Sequence, residues 1–176
     1  TFNVGWDYQG AVTTVQIFYS ADGGVTFPGL NLLGEVPAIL KSATLTLPNA
    51  MDDDIKIKVM DKNNLNVYGV SAANFAIKGS VHLDQPNGPE AWLKGTTQQV
   101  LWTPTGTYAG NVLVEYSTNG GTSWNPIATK VAGNDGVQQS QSWLIPDSIG
   151  VNNLVRVTTQ VNAAIDVTDV SDAAFK

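Results

Sequence analysis

The sequence predicts an all-β protein built from two tandem β-sandwiches, about seven strands each, the first lacking its opening strand. Three observations carry this. The chain repeats itself: the run from Val15 to Phe27 returns from Val112 to Trp124, with Tyr19 and Tyr116 97 positions apart. A period near one hundred residues is the size of a complete small β-domain. Apolar and polar residues alternate in short runs, the pattern of half-buried strands, and turn-forming Gly, Asn, Asp and Pro separate those runs.

The elements follow in order. Phe2 to Trp6 opens the chain, and Trp6 aligns with Trp102, 96 positions on, in what is the second strand of the second copy. Val15, Ile17 and Tyr19 share one face of the next strand, as Val112, Val114 and Tyr116 do in the repeat. Asp22-Gly23-Gly24 and Asn119-Gly120-Gly121 then supply the positive-φ positions of a tight hairpin. Leu47-Pro48 matches Ile145-Pro146. Ile55, Ile57 and Val59 alternate with Lys56 and Lys58, and Val155-Arg156-Val157 repeats the arrangement, so the two lysines are read as solvent-facing strand positions. Val70-Ser71 and Phe75 match Val170-Ser171 and Phe175, 100 positions apart. The drift in offset is what small loop insertions between fixed strands produce. No segment longer than one turn has a helical period; Ser71 to Asn74 has room for a single turn.

The two copies differ at the front. Val81-His82-Leu83, Pro86-Asn87-Gly88 and Trp92-Leu93-Lys94-Gly95 precede the second, as its first strand and the approach to its second. The first copy has no such segment. Domains are placed at residues 1–78 and 79–176, joined by a linker too short to bend freely, so that a semi-rigid rod is expected. The pattern at both ends is that of a piece of a longer array.

Composition narrows the function. Charged residues are 14% of the chain, the net charge is −6, and the nine Lys and Arg are scattered, which argues against nucleic acid and anionic lipid. Thr, Ser, Asn, Gln and Gly replace the missing charges, in the manner of secreted and surface β-proteins. There is no cysteine, hence no disulfide, thiolate metal site or cysteine nucleophile. No apolar run approaches the ~18 residues of a membrane span, and no signal peptide is present.

In the second copy, Trp92-x-x-Gly95, Val100-x-Trp102, Val112-x-Val114-x-Tyr116-Ser117-x-x-Gly120-Gly121-x-x-Trp124, Trp143-x-x-Pro146, Val155-x-Val157 and Asp169-x-Ser171-Asp172-x-x-Phe175 form one pattern. It resembles an Ig-like/fibronectin-III-like module that recurs in large bacterial and archaeal secreted and surface proteins. It is similar to the Ig-like domain of Ser/Thr-rich fungal wall proteins. The second copy matches over nearly its whole length. The first matches from its second strand on, with Phe27 at the hairpin tryptophan, Leu45 at Trp143, and Gly69-Val70-Ser71-Ala72 where the closing motif has its aspartates. The resemblance implies a β-sandwich of surface architecture, or one appended to secreted enzymes, and no catalytic residue. Ser20-x-Asp22-x-Gly24-x-Thr26-Phe27 also resembles the Asp-box of sialidase-type β-propellers, whose blades repeat at about half this period; there too the motif implies a hairpin brace.

Candidate chemistry is sparse. His82 is the only histidine and has no nucleophile motif beside it. Asp52-Asp53-Asp54 could offer oxygens to Ca²⁺ but lacks the alternate spacing of calcium loops, and is read as a solvated turn. Asp166, Asp169 and Asp172 near the end of copy two are weak cation candidates, read first as turn and capping residues. Trp6, Trp102, Tyr19 and Tyr116 are assigned to the cores. Trp92, Trp124 and Trp143 could make a sugar-stacking platform if they share an exposed face. No catalytic, cofactor-binding or metal site is assigned and no cofactor is expected. The expectation is a non-enzymatic structural and interaction module of a large extracellular surface or filament-forming protein, with adhesive or fibre-building roles. Its partners would be neighbouring copies or modules of the same protein, in a homo-oligomer or fibre, with no nucleic acid and no membrane insertion. A sandwich without its first strand leaves an edge that a neighbour's strand could complete. The alternative is a non-catalytic, polysaccharide-binding accessory module of a secreted hydrolase.

Overall fold

A computed structural model describes residues 1–49, 51–147 and 150–176. The protein is all-β, in the β-sandwich class, with several antiparallel sheets and, among the described residues, no closed barrel. Two compact units divide it, Thr1–Ile77 and Lys78–Lys176.

The first unit holds β1 (Phe2–Gly5), β2 (Thr14–Ser20), β3 (Leu32–Pro37), β4 (Ser42–Leu45), β5 (Asp52–Asp61), β6 (Tyr68–Val70) and β7 (Phe75–Ile77). One sheet is β1-β4; the other runs β3-β2-β5-β6, with β7 also paired to β5. Val15, Ile17, Ile55 and Ile57 alternate inward from β2 and β5 and are buried. Val4 and Leu45 meet Ile17 and Ile57 from the opposite sheet. Each such aliphatic side chain contributes about 1.5–3 kcal/mol when fully withdrawn from water.

The second unit holds β8 (Ser80–Gln85), β9 (Thr97–Thr105), β10 (Asn111–Ser117), β11 (Asn125–Val131), β12 (Gln139–Leu144), β13 (Leu154–Gln160) and β14 (Thr168–Val170). Its sheets are β12-β9-β8 and β11-β10-β13-β14. The core gathers Val81, Leu83, Val100, Trp102, Val114 and Val157, among others.

β1 to β6 correspond to β9 to β14, the central pairs down to register. Ile17 faces Val59 as Val114 faces Val157, and Lys58 faces Val70 as Arg156 faces Val170. A bulge interrupts β2–β3 between Ile17 and Phe18, and β10–β11 between Val114 and Glu115. The shared hairpin has the same brace in both units. Ser20 Oγ accepts from Asp22 N and Gly24 N, and Ser117 Oγ accepts from Asn119 N and Gly121 N. Gly23, Gly24, Gly120 and Gly121 all take the left-handed φ this turn demands.

Three expectations about local structure are corrected. Ser71 to Asn74 is a bend, not a helical turn, because Ser71 N is drawn to Ile57 O; the short 3-10 turns lie at Gly29–Asn31 and Ala38–Leu40. Asp52-Asp53-Asp54 begins β5 and is not a turn, since Asp52 lies opposite Ile77 on β7. Lys56 and Lys58 are half-buried, not freely solvated; the Lys58 ammonium sits over the rings of Phe27, Phe18 and Tyr68 at 4.7, 5.6 and 5.7 Å.

Candidate functional site

The two units differ most at one edge. In the second, β8 pairs with β9, setting Val81 against Pro104, His82 against Thr103 and Leu83 against Trp102. Val81 and Leu83 turn inward and are buried, and β8 also packs against β13 and β14 of the facing sheet. In the first unit β1 takes the place of β9 and β4 that of β12. Among the described residues nothing pairs with the other edge of β1. Trp6 N donates to Lys41 O, so by ladder alternation Asn3, Gly5 and Asp7 turn their peptide groups to that other edge.

Beside this edge runs a groove of about 500 Å³ whose walls include Val4, Trp6 and Tyr8 on one side and Val59, Tyr68 and Ser71 on the other. Its rim is apolar and wet: Val67, Tyr68 and Val70 are 43%, 60% and 39% exposed. Burial of the matched tryptophans follows. Trp102, under Leu83, is 1% exposed; Trp6 is half-buried and donates Nε1–H to Ala38 O at 3.2 Å.

The closing aspartates act on the same edge. Asp169 Oδ2 accepts from Leu83 N at 2.7 Å. Asp172 Oδ2 accepts from Asn87 Nδ2 at 2.9 Å, while Asp172 N donates to Asn87 Oδ1. Both therefore latch β8 and the loop after it, and Asp166 Oδ1 caps Val161 N. Ser171 Oγ accepts from Val155 N and donates to Pro86 O. The first unit keeps the serine: Ser71 Oγ accepts from Ile57 N and lines the groove. It has Gly69 and Ala72 where the latches would be. The sequence displayed this difference in the closing motif. The function of Asp169, Ser171 and Asp172 was not readable there, because their partners lie some 85 residues away.

The three candidate tryptophans do not form one exposed face. Trp143 is buried, 8% exposed, against Tyr116 (ring centroids 5.0 Å), Trp92 and Phe175. Trp92 is half-buried and joins Trp143 and Tyr116 in lining a pocket of about 250 Å³. Trp124 lies apart, its ring 4.4 Å beneath the Arg156 guanidinium, and Arg156 Nε also donates to Glu115 at 2.5 Å. Lys58 and Phe27 repeat this cation-on-ring arrangement in the first unit, with Phe18 at the position of Glu115.

The carboxylates splay. Asp52 Oδ1 accepts from Asp54 N, Asp54 Oδ1 accepts from Asn74 Nδ2, and Asp53 is half-buried. Among the described residues no group of three or more His, Asp or Glu is arranged to hold a metal ion. His82 is 64% exposed on β8, with Nδ1 3.4 Å from Asp169 and Nε2 3.8 Å from Asp84. Asp22 is the group whose chemistry the fold alters most. The Ser20 hydroxyl, then the Thr26 hydroxyl and N–H, donate to its carboxylate and hold its pKa down at about 2. This serves the hairpin, as Asn119 does with Ser123 in the second unit. Among the described residues no helix is long and apolar enough to cross a membrane. No protein-family model matches this sequence, and no curated protein matches it.

Proposed function

We propose that the chain is a pair of Ig-like structural and interaction modules from a large extracellular surface or filament-forming protein. They act by protein–protein contact and carry no catalysis. The observation that carries this reading is one β-sandwich repeated in both units, strand for strand, down to the register of the central pair and the bulge beside it. The low charge and the Thr/Ser/Asn-rich composition agree with a surface location. Sedimentation velocity over a hundredfold range of concentration, with electron microscopy of the same samples, tests it. Concentration-dependent oligomers or filaments are expected; a chain that stays monomeric and binds no protein partner refutes it.

One observation favours a second reading, a non-catalytic module that binds polysaccharide: Trp92, Tyr116 and Trp143 line one pocket. Saturable pull-down on an insoluble glycan, lost in Trp92→Ala with the fold intact, would establish that reading in place of the first.

A further inference from the structure

We infer that the outer face of the first unit's larger sheet, around Lys58, is the docking site for an extended segment of a partner protein that seats one carboxylate between two apolar side chains. Residues two apart share a face of an extended segment, so the pattern is apolar-x-acid-x-apolar. The inference rests on the interaction reading above and names the partner's chemistry.

The second unit supplies the comparison, and every strand that builds this face there has its counterpart in the first. Across the second unit's face run Pro126, Glu115, Arg156 and Val170, each opposite the next. The Arg156 guanidinium lies over the Trp124 ring and its Nε donates to Glu115, so cation, ring and counterion are all supplied by the fold. Across the first unit's face run Leu32, Phe18, Lys58 and Val70 in the same order. Cation and ring are kept, as Lys58 over Phe27, while the counterion has become Phe18. Among the described residues Lys58 makes no ion pair. The acids around it are engaged elsewhere: Glu35 by Lys62 and Gln16, Asp54 by Asn74, and Asp22 by Ser20 and Thr26.

The rest of the face has changed in the same direction. One row along, Gln16, Met60 and Tyr68 stand where the second unit has Leu113, Thr158 and Thr168. The first unit thus carries Phe18, Met60 and Tyr68 at outward positions where the second carries Glu115, Thr158 and Thr168. Tyr68, Val70 and Leu32 stay exposed around the cation. Aromatic and aliphatic surface around a single charge is the makeup of the centre of a protein interface. Electrostatic complementarity makes the partner's central group an anion, the role Glu115 fills in the second unit. Val70 on one side of Lys58 and Leu32 beyond Phe18 on the other call for apolar side chains flanking that anion, which a peptide offers and a sugar ring does not. The Lys58 stem already lies among the rings, so little freedom is lost when an acid pairs with its ammonium.

The test pans a display library of random heptapeptides on the full chain and measures the selected sequences as synthetic peptides by NMR titration. Expected is enrichment of Asp or Glu with apolar residues two positions to either side, and shifts at Lys58, Tyr68 and Val70 on binding. Affinity should fall about tenfold or more when the peptide's acid becomes its amide, and equally in Lys58→Met, which keeps the stem and removes the charge. Phe18→Glu installs the counterion that Arg156 has, and should abolish binding with the NMR spectrum of the fold retained. A library that yields no such pattern overturns the inference, as do selected peptides that bind Lys58→Met as tightly as the native chain. Binding to polygalacturonate that Lys58→Met loses overturns it in favour of an acidic polysaccharide. Self-association that Lys58→Met abolishes overturns it in favour of a second copy. If the chain self-associates on sedimentation, with or without Lys58, yet selects no acidic peptide, the interaction reading survives and this inference does not.

Discussion

Removing the Asp169 carboxylate should release β8. In the native second unit Leu83 is fully buried, and its N–H, pointing away from β9, is taken by Asp169 Oδ2 at 2.7 Å. Asp169→Ala leaves that donor without an acceptor in an apolar setting, and an orphaned buried donor costs about 1–3 kcal/mol. The Asp169 side chain is 31% exposed, so water recovers part of this, and about 2 kcal/mol is the expected loss. The loss falls on detachment of β8, because the opposite side of the strand still pairs with β9. A 2 kcal/mol smaller opening energy corresponds to roughly thirtyfold faster exchange. Amide exchange at Val81, His82 and Leu83 should therefore accelerate by about that factor, while Val114 and Val157 in the facing sheet change little. Asp169→Asn keeps a neutral acceptor, and about a tenfold acceleration or less is expected. Exchange in Asp169→Ala within twofold of the native rate at Leu83 would refute the latch, as would uniform acceleration across both sheets.

Other outcomes follow from the same structure. Arg156→Met strands the 12%-exposed Glu115 carboxylate, and should destabilise the second unit by about 2–3 kcal/mol in urea titration. Trp124→Ala removes the ring under Arg156 and should cost about 1 kcal/mol beyond the lost packing, by the same measurement. The Asp22 carboxyl should titrate near pH 2 by NMR, below its ordinary 3.8. Its folded pKa is depressed, so its contribution to stability is full above the unfolded value and is lost as pH falls from near 4 through 2. Asp22→Asn should abolish that acid dependence and leave the hairpin formed, because Asn119 already holds the equivalent turn.

Strand positions were legible where one face is buried and the other is not. Val15-Ile17-Tyr19 and Ile55-Ile57-Val59 announce themselves by period two, because burial alternates with the pleat. The triple aspartate misled because three acids mimic a turn by composition. Its strand character comes from pairing with β7 and from the Asn74 amide, which are tertiary facts. Lys58 misled for a related reason: an apolar stem can lie across aromatic rings while its charge reaches water, and the sequence does not say which rings are near. The open edge could be inferred from the repeat, since Trp6 aligns with a second strand and not a first. The groove beside it could not. Its walls come from β1, β5 and β6 together, and the latches that identify the slot join residues some 85 positions apart. Trp92, Trp124 and Trp143 read alike in the sequence, yet Trp124 braces a guanidinium while the other two pack together.

The hairpin brace bears on how the chain reaches this form. The side-chain hydrogen bonds that shape the turn from Ser20 to Thr26 join residues no more than four apart, as do those from Ser117 to Ser123, and the bonds from Gly23 N to Asp54 O and from Gly120 N to Asn152 O tie each turn to a distant strand afterwards. Closing so short a loop costs little entropy and is fast, on the microsecond scale of isolated hairpins. Each unit thus carries a local seed that can form before any distant strands meet, with β2–β3 and β10–β11 zipping outward from it. Changes in these turns should slow refolding in proportion to the stability they remove, whereas changes at the long-range latch should chiefly hasten unfolding.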